Sequence, residues 1–79
     1  MHKIPVIKGN ELVRFLESIG FVISRTKGSH VRMHSKDGRV TTVPIHKGKD
    51  IPKGLLRKII NEDLKMEMDA FSESYFKNK

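Results

Sequence analysis

The stretch Arg25-Thr26-Lys27-Gly28-Ser29-His30-Val31-Arg32-Met33 sets one histidine among three cations, just after a glycine turn. Histidine is the side chain whose ordinary pKa lets it exchange protons near neutral pH. Lysine and arginine bind phosphate through charge-assisted hydrogen bonds. Together they fit proton transfer on a nucleic-acid backbone. Cutting RNA needs a base to take the proton of a ribose 2′-hydroxyl, or an acid to protonate the departing 5′-oxygen. A positioned imidazole can do either, typically for about 10²- to 10⁴-fold in rate. Cations then stabilise the charge that develops at phosphorus. Arg25, Lys27 and Arg32 are close enough in sequence to serve, and Gly28 allows a phosphate to approach the backbone. The same residues would also make an ordinary solvated strand, so residue types and spacing leave both readings open.

The other histidines are less telling. His46, in Val43-Pro44-Ile45-His46-Lys47, sits in a basic loop. There it faces substrate phosphate, acts as a second acid or base, or is simply solvated. His34 reads as a surface strand residue, and His2 lies in a ragged terminus. His30 and His34 share a strand face but sit about 13 Å apart, at ~3.3 Å per residue. That is too far for two ligands of one ion at ~2 Å each. Neither a metal site nor a cofactor is expected. Lys27, Arg32, Arg39, Lys47, Lys49, Lys53 and Arg57 could form one continuous patch, with Lys53 and Arg57 four apart on a helix face. Such contacts give phosphate affinity without sequence readout.

The 79 residues make one domain, 1–79, with a loop over 1–9 and a frayed tail over 77–79. So short a chain buries a thin core. It has no cysteine, which removes disulfides and cysteine-based zinc sites and is compatible with the cytoplasm, the expected location. The N-terminus is too short and too soon interrupted to read as a signal peptide, and no apolar run approaches membrane-spanning length. The net charge is +7. Residues 1–60 hold 13 Lys/Arg against 4 Asp/Glu, a net +9, and residues 61–79 hold 3 against 5, a net −2. A basic body with an acidic tail points to a polyanionic ligand for the body.

The elements that must position these residues follow from periodicity. Asn10 is a helix N-cap, Glu11 suits the positive end of the helix dipole, and Leu12, Phe15, Leu16 and Ile19 form one apolar face. Gly20 sits where a C-cap glycine belongs, which gives a helix over 10–19. Residues 21–26 read as a strand, Lys27-Gly28-Ser29 as a turn and 30–35 as a second strand. In that strand Val31 and Met33 face the core, while His30, Arg32 and His34 are exposed. Lys36-Asp37-Gly38 is a hairpin turn, and 39–43 is a third strand that Pro44 ends or edges. Asp50 caps a second helix, with Pro52 in its first turn and Leu55, Leu56, Ile59, Ile60 and Leu64 as its apolar stripe. Residues 66–76 form a weaker helix anchored by Phe71, Tyr75 and Phe76. The expected fold is α+β: α-β-β-β-α with a three-stranded antiparallel sheet, helices on one face and a short C-terminal helix.

The residues then match a family. Gly28-Ser29-His30, Asp37-Gly38-Arg39, Val43-Pro44-Ile45-His46-Lys47 and Ile51-Pro52-Lys53-Gly54-Leu55-Leu56-Arg57-Lys58-Ile59 together resemble the HicA (YcfA-like) toxin family. Lys3-Ile4-Pro5 followed by Lys8-Gly9-Asn10-Glu11-Leu12 is similar to its N-terminal signature. The similarity runs over roughly residues 2–76, and its specificity lies in order, spacing and length. The resemblance implies a double-stranded-RNA-binding-domain-like fold. It implies a ribosome-independent, metal-independent mRNA interferase with His30 as the catalytic residue. It also implies a cognate HicB antitoxin that covers the active face, and translation arrest when the toxin is free. One departure is visible: where the family has a small glycine-containing loop before the last helix, this chain reads Asn61-Glu62-Asp63-Leu64.

Three functions fit these features. The first is a toxin endoribonuclease of a toxin–antitoxin pair. In it His30 is general acid or base, and Lys27, Gly28, Ser29, Arg32, His46 and Lys47 contact RNA phosphate. The second is a non-catalytic RNA- or DNA-binding module using the same patch. The third is a protein-interaction module whose open sheet face binds an acidic partner.

Overall fold

The computed structural model describes residues 4–77, so His2, Lys3 and the last two residues of the expected tail lie outside the described part. The order is α1 (Gly9–Ser18), β1 (Val22–Lys27), β2 (His30–His34), β3 (Val40–Pro44), α2 (Lys53–Lys58), a π-helical stretch (Ile59–Asp63) and α3 (Met68–Lys77). The strands form one antiparallel sheet in the order β1-β2-β3. This is the α+β, double-stranded-RNA-binding-domain-like arrangement that the resemblance implied. Among the described residues, no helix is long and apolar enough to cross a membrane.

Helix α1 begins one residue before the expected start at 10, and its cap is Lys8, two residues before Asn10, which lies inside the helix. No side chain caps the helix there. Instead the Lys8 backbone N–H donates to the Glu11 carboxylate at 2.9 Å. The first helical residue, Gly9, is closely packed. It is buried, and a Cβ on it would clash with the Pro44 carbonyl oxygen and press on Ile45. Glycine is therefore required at this crossing of α1 over the end of β3. Gly9→Ala is expected to destabilise by about 1–3 kcal/mol through overpacking. Thermal unfolding should show a fall of roughly 5–20 °C for a chain of this size, and an unchanged Tm would contradict the contact. At the other end, the Gly20 N–H donates to Glu17 O at 3.2 Å and the Phe21 N–H to Leu16 O at 2.9 Å. With Gly20 at φ +106°, this is a Schellman cap.

The core joins one face of each helix to the inner face of the sheet. Leu12, Phe15 and Leu16 of α1, Val31, Met33 and Val43 of the sheet, and Leu56, Ile59, Ile60 and Leu64 all belong to one buried apolar cluster. Asp50 does not cap α2. It forms an isolated bridge and an exposed 3.6 Å ion pair with Lys8, and the helix starts behind Pro52. The π turn is closed by the Leu64 N–H donating to Ile59 O at 2.8 Å. The wider turn keeps Ile59, Ile60 and Leu64 all inward, but Leu55, expected in the core, is 38 % exposed.

The C-terminal helix docks on α1 through rings. Phe71 and Tyr75 both meet the Phe15 ring edge-on, at centroid distances of 5.3 and 5.4 Å, a favoured geometry for aromatic pairs. Phe76, expected as a third anchor, is exposed instead. Just before this helix Lys65 adopts φ +56°, the left-handed conformation that a glycine takes without strain. The turn thus keeps a glycine-like backbone although its residue is lysine.

Arg39 belongs to the fold rather than to the expected basic patch. Its guanidinium donates to Asp37 and, at 2.9 Å, to Leu64 O, and it lies 5.2 Å over the Phe21 ring. The Ser35 hydroxyl donates to the Asp37 carboxylate, and with the Arg39 bonds it holds that carboxyl down at about 2. Arg39 thus ties the β2–β3 hairpin to the turn before α3.

Candidate nucleic-acid interface

The helices leave one sheet face open, and the strand register decides what that face presents. Residues directly opposite one another in a sheet share a face. The pairings place Lys27, His30 and Pro44 in one row, Arg25, Arg32 and Thr42 in a second, and Val22, His34 and Val40 in a third. Val31, Met33, Thr41 and Val43 are buried on the opposite face, so these three rows form the open one.

A bulge makes this arrangement possible. The β1 register shifts between Ile23 and Arg25. One extra residue there breaks strict alternation, and the Ser24 hydroxyl donates to Arg32 O at 3.2 Å across the irregularity. Val22 and the pair Arg25 and Lys27 would fall on opposite faces in a regular strand. With the bulge they share the open face.

His30 stands at one end of this surface. It is exposed, with Lys27 opposite it on β1 and Pro44 opposite it on β3. The β1–β2 loop is only Gly28-Ser29, with Gly28 at φ +56°, the pattern of a type II′ hairpin. That turn holds Lys27 and His30 side by side, roughly 5.5 Å apart at Cα for a hydrogen-bonded pair. The Ile45 N–H donates to Ser29 O at 2.6 Å, which draws the 45–49 loop against the same turn. His46 and Lys47 follow directly and are exposed. The expected set Lys27, Gly28, Ser29, His30, His46 and Lys47 is therefore gathered at one end of the sheet, with Arg32 one row away. Lys49, Lys53 and Arg57 are exposed on the following loop and on α2, outside the three rows.

The electrostatics of the second row are unusual. Arg25 and Arg32 face each other directly, and like charges at opposed positions destabilise a sheet. The ion pairs among the described residues are Lys8–Asp50 and Arg39–Asp37. Among the described residues Arg25, Lys27 and Arg32 thus stand together without an ion pair to an acidic side chain; the acidic residue Asp63 shares a groove with Arg32. An anion laid across the rows would relieve that repulsion. Among the described residues, no group of three or more His, Cys, Asp or Glu is placed to hold a metal ion.

Sequence reasoning named His30 and its flanking cations, Arg25 among them, but not the register that sets Arg25 opposite Arg32, because a bulge leaves no mark in hydrophobic periodicity. It also enlisted Arg39, whose partners lie far along the chain.

A model of the HicA toxin of bacterial toxin–antitoxin systems matches residues 9–65, a span that holds α1, the sheet, α2 and the π turn. A comparison with curated proteins finds no match.

Proposed function

The chain belongs to the HicA toxin family of bacterial toxin–antitoxin systems, and on that premise we propose that it is a metal-independent endoribonuclease that cuts mRNA through His30. The observation that carries this reading is the facing of Arg25 and Arg32, neither in an ion pair among the described residues, beside an exposed His30 and Lys27. An RNA phosphate supplies the missing negative charge, and the imidazole supplies the proton transfer.

In the reaction the ribose 2′-oxygen attacks the adjacent phosphorus and the bond to the 5′-oxygen breaks. The 2′-hydroxyl loses a proton and the leaving 5′-oxygen gains one, so the step needs no net acid or base. His30 performs one of these transfers. Lys27 and Arg32 hold the phosphate, and the charge growing on its oxygens is stabilised by cations already in place. Gly28 leaves the backbone open to the phosphate, and the Ser29 hydroxyl and the His46-Lys47 loop border it. The products are a 2′,3′-cyclic phosphate and a 5′-hydroxyl end.

A HicB-type antitoxin then neutralises the toxin by covering the open face with acidic or hydrogen-bonding groups. Incubating the purified chain with RNA in excess chelator tests the chemistry. Cleavage that persists and leaves cyclic phosphate ends is expected. Cleavage abolished by the chelator, or 5′-phosphate products, would contradict the scheme. A binding module would use the same cations but leave the RNA uncut, and loss of cleavage in His30→Ala ties the activity to this face.

A further inference from the structure

Beside the open face lies a groove of about 410 Å³ between the edge of β3 and α2, lined by Arg32, Val40, Thr42, Leu55 and Lys58 among others. Its apolar wall is odd for a surface. Leu55 is 38 % exposed although it lies in the apolar stripe of α2, and Val40 is 39 % exposed. Two cations, Arg32 and Lys58, and one carboxylate, Asp63, sit with them, a net positive lining. Apolar walls with a few convergent charged groups are what ligand sites present.

Building on the ribonuclease reading above, we propose that this groove is a nucleotide subsite: it takes the base of one nucleotide of a single-stranded RNA between Val40 and Leu55, with a neighbouring phosphate on Arg32 and Lys58. Continuity with the His30 face favours RNA as the occupant. Arg32 lines the groove and also belongs to the central row of the open face. It is two residues from His30 on the same side of β2, about 7 Å at ~3.3 Å per residue. A strand whose phosphate lies at His30 therefore continues past Arg32 into the groove. Recognition of an unstacked base requires single-stranded RNA, the usual target of sequence-reading RNA proteins. Asp63 lines the same groove; its carboxylate accepts the Thr41 hydroxyl at 2.9 Å, and among the described residues it makes no ion pair with Lys58 or Arg32.

The test uses a fluorescein-labelled 2′-O-methyl hexauridylate, which cannot be cut through its 2′-oxygens, and six versions each with one abasic position. Binding is read by anisotropy for the intact chain, Leu55→Ser, Lys58→Ala and Arg25→Ala. The intact chain should lose about tenfold affinity for one abasic probe, the scale of one base contact. Leu55→Ser should weaken the full probe by a similar factor and cause no further loss on that same abasic probe, the non-additivity of partners in contact. Lys58→Ala should weaken every probe alike. Lys58 is exposed, so Lys58→Ala should keep the parent Tm; Leu55 is only 38 % exposed, so Leu55→Ser should lower the Tm by several degrees and still leave a cooperatively folded chain at the assay temperature. If Arg25→Ala weakens binding while Leu55→Ser leaves every probe within twofold, the subsite is wrong and the ribonuclease reading stands. If the intact chain binds no probe at low salt, both fall. If Leu55→Ser weakens only capture of an acidic peptide added along β3, the groove is a protein-docking edge and the proposal is overturned.

Discussion

Replacing His30 with alanine should lower RNA cleavage by about 10²- to 10⁴-fold, the usual worth of one general acid or base. The fold should not change. His30 is exposed, its strand neighbours Val31 and Met33 carry the packing, and its backbone pairing with Lys27 and Pro44 does not need the ring. Exposed substitutions away from special features usually stay within about 0.5 kcal/mol. The test is single-turnover cleavage of a defined RNA, with thermal unfolding and RNA affinity measured on the same preparations. Loss of turnover at constant Tm and near-constant affinity assigns proton transfer to His30. Parallel loss of affinity and turnover would make His30 a binding residue instead. Comparable cleavage by both chains would remove it from the chemistry altogether.

Changing Arg25 and Arg32 together to alanine should act on affinity, with a recognisable salt signature. Each phosphate contact contributes about 0.7 to the log–log slope of affinity against salt for a single strand. The double variant should therefore bind RNA with a slope shallower by roughly 1.4 if each arginine holds one phosphate. It should also be no less stable than the parent, because the opposed pair repels. A drop in Tm would mean that the arginines serve the fold, as Arg39 does. An unchanged salt slope would mean that the RNA lies elsewhere. His30→Ala and this variant thus separate the two tasks on one face: proton transfer in the Lys27 row and charge neutralisation in the Arg25 row.

Much of this arrangement was legible in the sequence because it rests on local periodicity. The alternation of β2 places Val31 and Met33 inward and His30, Arg32 and His34 outward. The glycines at 20, 28 and 38 mark chain reversals where φ is positive. What escaped was set by distant partners. Asp50 looks like a helix cap, but Lys8 claims it across the chain. Arg39 looks like a phosphate ligand, but Phe21, Asp37 and Leu64 fix it in place. Leu55 has the spacing of a core residue, yet the helix widens to a π turn just beyond it and Leu55 remains at the groove. Gly9 reads as a breaker, whereas its role is to let α1 cross the Pro44 carbonyl. In the site itself, the bulge between Ile23 and Arg25 brings Arg25 opposite Arg32, and composition carries no trace of that register shift.

The family assignment and the open face meet in one claim, that the exposed His30 makes this chain a toxin by destroying RNA. The most direct measurement is induced expression of the intact chain and of His30→Ala in the same cells at equal protein level, scoring growth and mRNA integrity. Growth arrest with loss of mRNA from the intact chain, and neither from His30→Ala, is the expected result. Arrest without mRNA loss, or equal arrest by both chains, would contradict it.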